Sequence, residues 1–150
     1  MGLKVLCILS FIGFIGAVAV DVQNYFIFSK IEVIETTLDQ DSLEELQDTM
    51  LTWEKADVDV SDQGIKRIGD LFLYRGIVDV LALLGVILMF VRLKLGYTIY
   101  VIFQLTYVAL PFVMLGAVSL AVVEPSNIAV ILIYVLLFTT QRKHLISREE

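Results

Sequence analysis

The sequence predicts an all-α membrane fold: a bundle of four transmembrane helices with a short amphipathic helix in the loop between helices one and two. Three observations predict it. Of the 150 residues 58 % are hydrophobic, and the mean hydropathy is +0.84. That exceeds the ~45–50 % apolar content of soluble domains, and a single small domain leaves too much surface exposed to hide the excess. The apolar residues also fall in long runs instead of short alternating stretches. Finally, the charge is segregated: Lys30 to Asp70 holds twelve acidic residues against four basic ones, a local balance of −8 within a net charge of −6.

The first expected span covers residues 3–28. Its apolar run goes from Val5 to Val20 and resumes beyond Asp21 with Tyr25, Phe26, Ile27 and Phe28. Lys4, the run itself and Ala17-Val18-Ala19 also have the order of a secretory signal peptide. Hydrophobicity continuing past that cleavage position predicts a retained anchor helix instead.

The loop, residues 30–70, carries structure of its own. Ser42-Leu43-Glu44-Glu45 has the spacing of a capping box. Leu43, Leu46, Met50 and Trp53 then recur every three or four residues, one apolar stripe on a helix. Trp53 suits an anchor at the lipid headgroups, and the stripe equally suits a cap on the end of the bundle. Asp57, Asp59 and Ser61 echo the first ligands of a calcium loop. Asp62 stands where that loop needs glycine, however, and Ile68 where it needs glutamate. The expected structure is an acidic turn with Ser61 or Asp62 as N-cap of the next helix.

The second span is expected over residues 71–91. Ile65, Ile68 and Phe72 share its helical spacing, so the helix should begin outside the bilayer, with Gly69 as a weak point. The third covers 97–123, with a proline kink at Pro111. After the Glu124-Pro125-Ser126-Asn127 turn, with Ser126 or Asn127 as N-cap, the fourth covers 127–145. Its apolar part, Ile128 to Thr140, is short of the ~20 residues that span a bilayer. It needs Arg142 and Lys143 to snorkel. All 150 residues form a single membrane domain.

Four crossings place Lys4, Arg92, Lys94, Arg142, Lys143 and Arg148 on one side and the acidic loop on the other. The positive-inside rule then sets both termini in the cytoplasm of a multi-pass plasma-membrane protein. Leu6-Cys7-Ile8-Leu9-Ser10-Phe11-Ile12-Gly13 and Gln141-Arg142-Lys143-His144-Leu145, with the hydropathy layout of the whole chain, resemble small uncharacterised four-span bacterial inner-membrane proteins. That resemblance implies a bacterial inner membrane and four helices, and carries no activity with it. The arginine- and glutamate-rich helix faces of four-span glutathione-transferase-like enzymes have no counterpart here.

Charges inside a membrane mark function or a buried pair. Arg75 and Asp79 are four residues apart, on one helix face. At ~1.5 Å per residue Arg75 lies roughly 25 Å above Arg92, and Asp21 roughly 27 Å above Leu3. Asp21, Arg75 and Asp79 are therefore expected to form an intramembrane ionic cluster, serving either helix register or a proton or ion relay. Gln104 and Thr106, with Tyr100 and Tyr107, add polar groups to the third span. Ser10, Gly13, Gly16 and Ala17, like Gly116, Ala117 and Ala121, have the spacing of helix–helix seams.

Several chemistries are disfavoured. A nucleic-acid partner requires a basic surface. One cysteine, Cys7, cannot form an internal disulfide, and one histidine, His144, does not make a zinc site. No nucleophile-elbow, P-loop, HExxH or CxxC motif is present. No catalytic residue, cofactor or metal is expected. The leading expectation is a non-enzymatic accessory or scaffold subunit, with the lipid bilayer and a protein partner or second copy bound through the outer loop and small-residue faces. The alternative is a small transporter or channel with a polar path through Asp21, Asp79 and Gln104.

Overall fold

A computed structural model describes residues 2–30, 40–123 and 125–145. Helix α1 is Leu3–Ser29, α2 is Gln40–Lys55 and α3 is Asp62–Phe90. Helix α4 is Lys94–Leu115, a 3-10 turn follows at Gly116–Val118, and α5 is the short Ser119–Val122. Helix α6 is Pro125–Gln141, ending in a second 3-10 turn at Arg142–His144. Among the described residues every regular element is helical. Leu3–Ser29, Asp62–Phe90 and Lys94–Val122 are each long and apolar enough to cross a membrane. With 17 residues, α6 falls short of the ~20 that a crossing needs.

Several boundaries differ from expectation for local reasons. Ser42 lies inside the first turn of α2, which starts at Gln40, so the capping box at Ser42 does not form its N-terminus. Helix α3 does begin well before residue 71. Ser61 is its N-cap, accepting from the Gly64 amide at 3.3 Å, while Asp59 accepts from the Ser61 amide at 3.0 Å. Helix α4 runs through Pro111 unbroken. The interruption comes at Gly116, whose φ of +68° is a left-handed conformation that glycine adopts without a Cβ penalty. Helix α6 begins at Pro125, so Ser126 and Asn127 sit in its first turn and not ahead of it. Glu124, residues 31–39 and the last five residues, Arg148 among them, lie outside the described residues.

Two apolar clusters organise the bundle. One gathers Leu3, Leu6 and Cys7 of α1 with Ala82, Val86 and Met89 of α3, Tyr100 of α4 and Phe138 of α6. The basic residues collect at that end: Lys4 lies 5.9 Å from the Phe90 ring and Arg142 lies 5.5 Å from the Tyr97 ring. At the other end Phe28, Trp53, Val58, Ile65, Ile68 and Phe72 pack together, with Leu46 and Met50 of α2 against them. Trp53 is buried, its ring 5.2 Å from Phe28. The α2 stripe thus folds onto the bundle instead of presenting Trp53 to lipid headgroups; Leu43 is only half-buried and lies outside that cluster.

The close helix crossings lie where sequence spacing did not point. A Cβ built on Gly85 would sit 2.7 Å from the Tyr100 amide nitrogen, and one on Gly96 would sit 2.6 Å from the Gly85 carbonyl oxygen. Helices α3 and α4 therefore meet backbone to backbone, as small residues permit in membrane helices. Gly69 approaches Ser29 and Phe28 of α1 in the same way, so the expected weak point of α3 is a packing position. Gly13 and Gly16 form no seam within the chain, since a Cβ on either would meet nothing within 4 Å. Gly116 and Ala117 are likewise exposed.

Candidate functional site

Between the two apolar clusters lies a largely apolar cavity of about 380 Å³ with several polar side chains in its wall. Four helices each contribute one face to it. From α1 come Ser10, Gly13, Phe14, Ala17 and Asp21, spaced at three and four residues. Helix α3 supplies Arg75 and Asp79, one turn apart, and α4 supplies Tyr100, Gln104 and Tyr107. Asn127, Val130, Ile131 and Tyr134 complete the wall from α6.

Arg75 organises the site. Its Nε lies 3.9 Å from Asp21 Oδ1, and both side chains are almost fully buried. Its terminal nitrogen Nη2 donates to the Tyr107 hydroxyl. The guanidinium carbon stands 4.3 Å from the Tyr107 ring centroid and 5.5 Å from that of Phe72. Cation–π contact of this kind strengthens away from water. Asp79, 3 % exposed, has no ion pair within 4 Å among the described residues. The expected cluster of three thus resolves into a linked Asp21–Arg75 pair and a second carboxylate beside it.

Hydrogen bonding in the cavity is incomplete. Asp21 Oδ2, Asp79 Oδ2, Arg75 Nε and Ser10 Oγ are buried without a hydrogen-bond partner. A buried polar atom left unsatisfied costs about 1–3 kcal/mol, and these four belong to residues that line one space. Gln104 is 3 % exposed and lines the same space. Thr106 does not: it is exposed on the opposite face of α4 and returns its hydroxyl to the Ile102 carbonyl at 2.9 Å.

Sequence reasoning took Asn127 only as a candidate helix cap and passed over Tyr134. The available signal was their seven-residue separation, with Val130 and Ile131 between them, which sets all four on one face of α6. The cavity reaches the surface between α1 and α6, where Gly13, Gly16, Asn127 and Val130 are all exposed. The Asp57 to Ser61 stretch closes into a turn against Gly64. Among the described residues no group of three or more potential metal ligands is assembled. No protein-family model, no curated protein and no solved structure matches this chain.

Proposed function

We propose that the chain is a multi-pass protein of a bacterial inner membrane that holds and passes a small polar solute through the cavity around Asp21, Asp79 and Gln104. The observation that carries this reading is the shared wall: three sequence-distant polar residues and Arg75 line a single space. A purely structural ion pair has no need of an adjoining cavity or of unsatisfied carboxylate oxygens. In this reading α6 and its Arg142–His144 turn make the fourth crossing. Collection of Lys4, Arg92, Lys94 and Arg142 at one end supports cytoplasmic termini through the positive-inside rule. The acidic α2 end then faces outward, where its field would concentrate cations.

Cysteine accessibility tests the reading. In a Cys7→Ser background, single cysteines are placed at Gln104 and Asn127 in membrane vesicles and treated with a water-soluble methanethiosulfonate. Both are expected to react, with Gln104 protected less than a cysteine placed at the buried Val86. A Gln104 cysteine inert from both sides would remove the polar path.

A second reading, an accessory subunit, is favoured by one feature. Asp41, Glu44, Glu45 and Asp48 are exposed on α2 while Trp53 pins that helix to the bundle. A fixed acidic face suits a basic partner, and gentle-detergent extraction from native membranes should then recover one.

A further inference from the structure

We infer that the cavity takes an organic cation, its ammonium group seated by Asp79 and Asp21 and its apolar body laid along the opening between α1 and α6. The inference rests on the reading above and names the class of solute.

Charge decides the sign of the ligand. Two carboxylates and one guanidinium line the site, and the guanidinium is already engaged by Asp21, the Tyr107 hydroxyl and two aromatic rings. Among the described residues Asp79 has no ion pair, and its ionised form is unfavourable without one. One monovalent cation balances it. An anion would meet two carboxylates set against a single guanidinium that is already ion-paired with Asp21.

Size and lining decide the chemical type. A volume of about 380 Å³ falls in the ~300–1,000 Å³ range of small-molecule sites. It equals roughly a dozen waters at ~30 Å³ each, far more than a bare metal ion fills. Phe14, Tyr100, Tyr107 and Tyr134 present aromatic groups to it, the surroundings in which ammonium groups are bound through ring faces. Ser10 Oγ, buried and unpartnered on the same wall, offers an acceptor for an ammonium hydrogen. At the opening, Gly13 and Gly16 leave space that no neighbouring atom fills within 4 Å. That is room for an apolar chain entering from the side.

The test is thermal stability and calorimetric titration of the purified full-length protein in detergent, with three six-carbon probes: hexylammonium, hexanol and hexanoate. Sodium chloride at matched ionic strength serves as control. Hexylammonium is expected to bind saturably and raise Tm, and the other two are not. Asp79→Asn should weaken hexylammonium by at least about tenfold. Gly16→Leu, filling open space, should abolish binding while leaving the unliganded Tm in place. If hexanol or hexanoate binds as well as hexylammonium and Gly16→Leu removes both, the solute site stands and the cation assignment falls. Sodium chloride alone reproducing the full shift would replace the organic cation by an inorganic one and overturn the inference. Should Gly16→Leu leave every probe's binding unchanged, the cavity is not the site and both readings fail. Gly16→Leu also decides the matter if Asp79→Asn does not fold.

Discussion

Where α3 crosses α4, Gly85 and Gly96 bring two backbones into contact; where α1 faces α6, a Cβ on Gly13 or Gly16 would meet no protein atom within 4 Å. The residue type is the same and the hydropathy around it is similar, yet one pair closes the bundle and the other keeps part of it open. The difference is in the partner. Opposite Gly85 stands another glycine, so the two helices approach until main chains touch. Opposite Gly13 and Gly16 stand Asn127, Val130 and Ile131, whose side chains line the cavity wall across from them. Small residues in a membrane helix therefore permit close packing without by themselves fixing where it occurs.

Breaking the closed side should have the largest effect. Gly85→Val puts two methyl groups where a Cβ alone already meets the Tyr100 amide at 2.7 Å. Overpacking ordinarily costs about 1–3 kcal/mol, and here main chain must give way, so the expected result is loss of the monodisperse species on size exclusion in detergent. Next comes the charge pair beside the open side. Arg75→Leu leaves Asp21 buried without its counter-ion, and should cost about 3–5 kcal/mol, seen as a lower Tm in detergent. Adding Asp21→Asn to that variant should restore part of the loss, and a Tm unmoved by Arg75→Leu would mean that the pair contributes nothing.

On the open side the sign reverses. Gly16→Ala should leave Tm unchanged or raise it, because alanine is favoured over glycine in a helix by about 1 kcal/mol and meets no neighbour. A clear drop in Tm would show that α1 and α6 pack as tightly as α3 and α4. The smallest effect is expected at the turn that starts α3. Hydrogen bonds from Ser61 hold the Asp59 carboxyl below the usual carboxylate range. A depressed value contributes stability above the unfolded-state pKa, and the contribution is lost as pH falls through the folded one. Any Tm advantage of wild type over Asp59→Asn should hold at neutral pH and vanish on acidification below about pH 4.

The all-helical class and three long apolar helices were legible because lipid forces each span to satisfy its own backbone, leaving long apolar runs as the signature. The proximity of Asp21 to Arg75 was legible too, since helical rise converts sequence number into depth. Facing was harder to read. Thr106 is adjacent in sequence to Tyr107, yet one hydroxyl turns back to its own helix and the other meets Arg75. Polar residues in one helix can be assigned to a shared space only once the neighbouring helices are positioned. The glycines show the same limit: Gly85 and Gly96 are eleven residues apart on consecutive helices, and only the α3–α4 hairpin makes them neighbours.

Helix α6 has its buried ring contact near one end. Phe138 is fully buried against Tyr100, and Thr139 shares a hydrogen bond of 2.8 Å with Tyr97, whereas Asn127 and Val130 at the other end are exposed. Mechanically this is a lever with its fulcrum at Phe138. Eleven residues separate the fulcrum from Asn127, an arm of about 16 Å at 1.5 Å per residue. A tilt of about 10° on that arm displaces Asn127 by about 3 Å, as much as the width of a water molecule. A tilt of that size about the Phe138 contact would change the width of the cavity's mouth by about one water diameter.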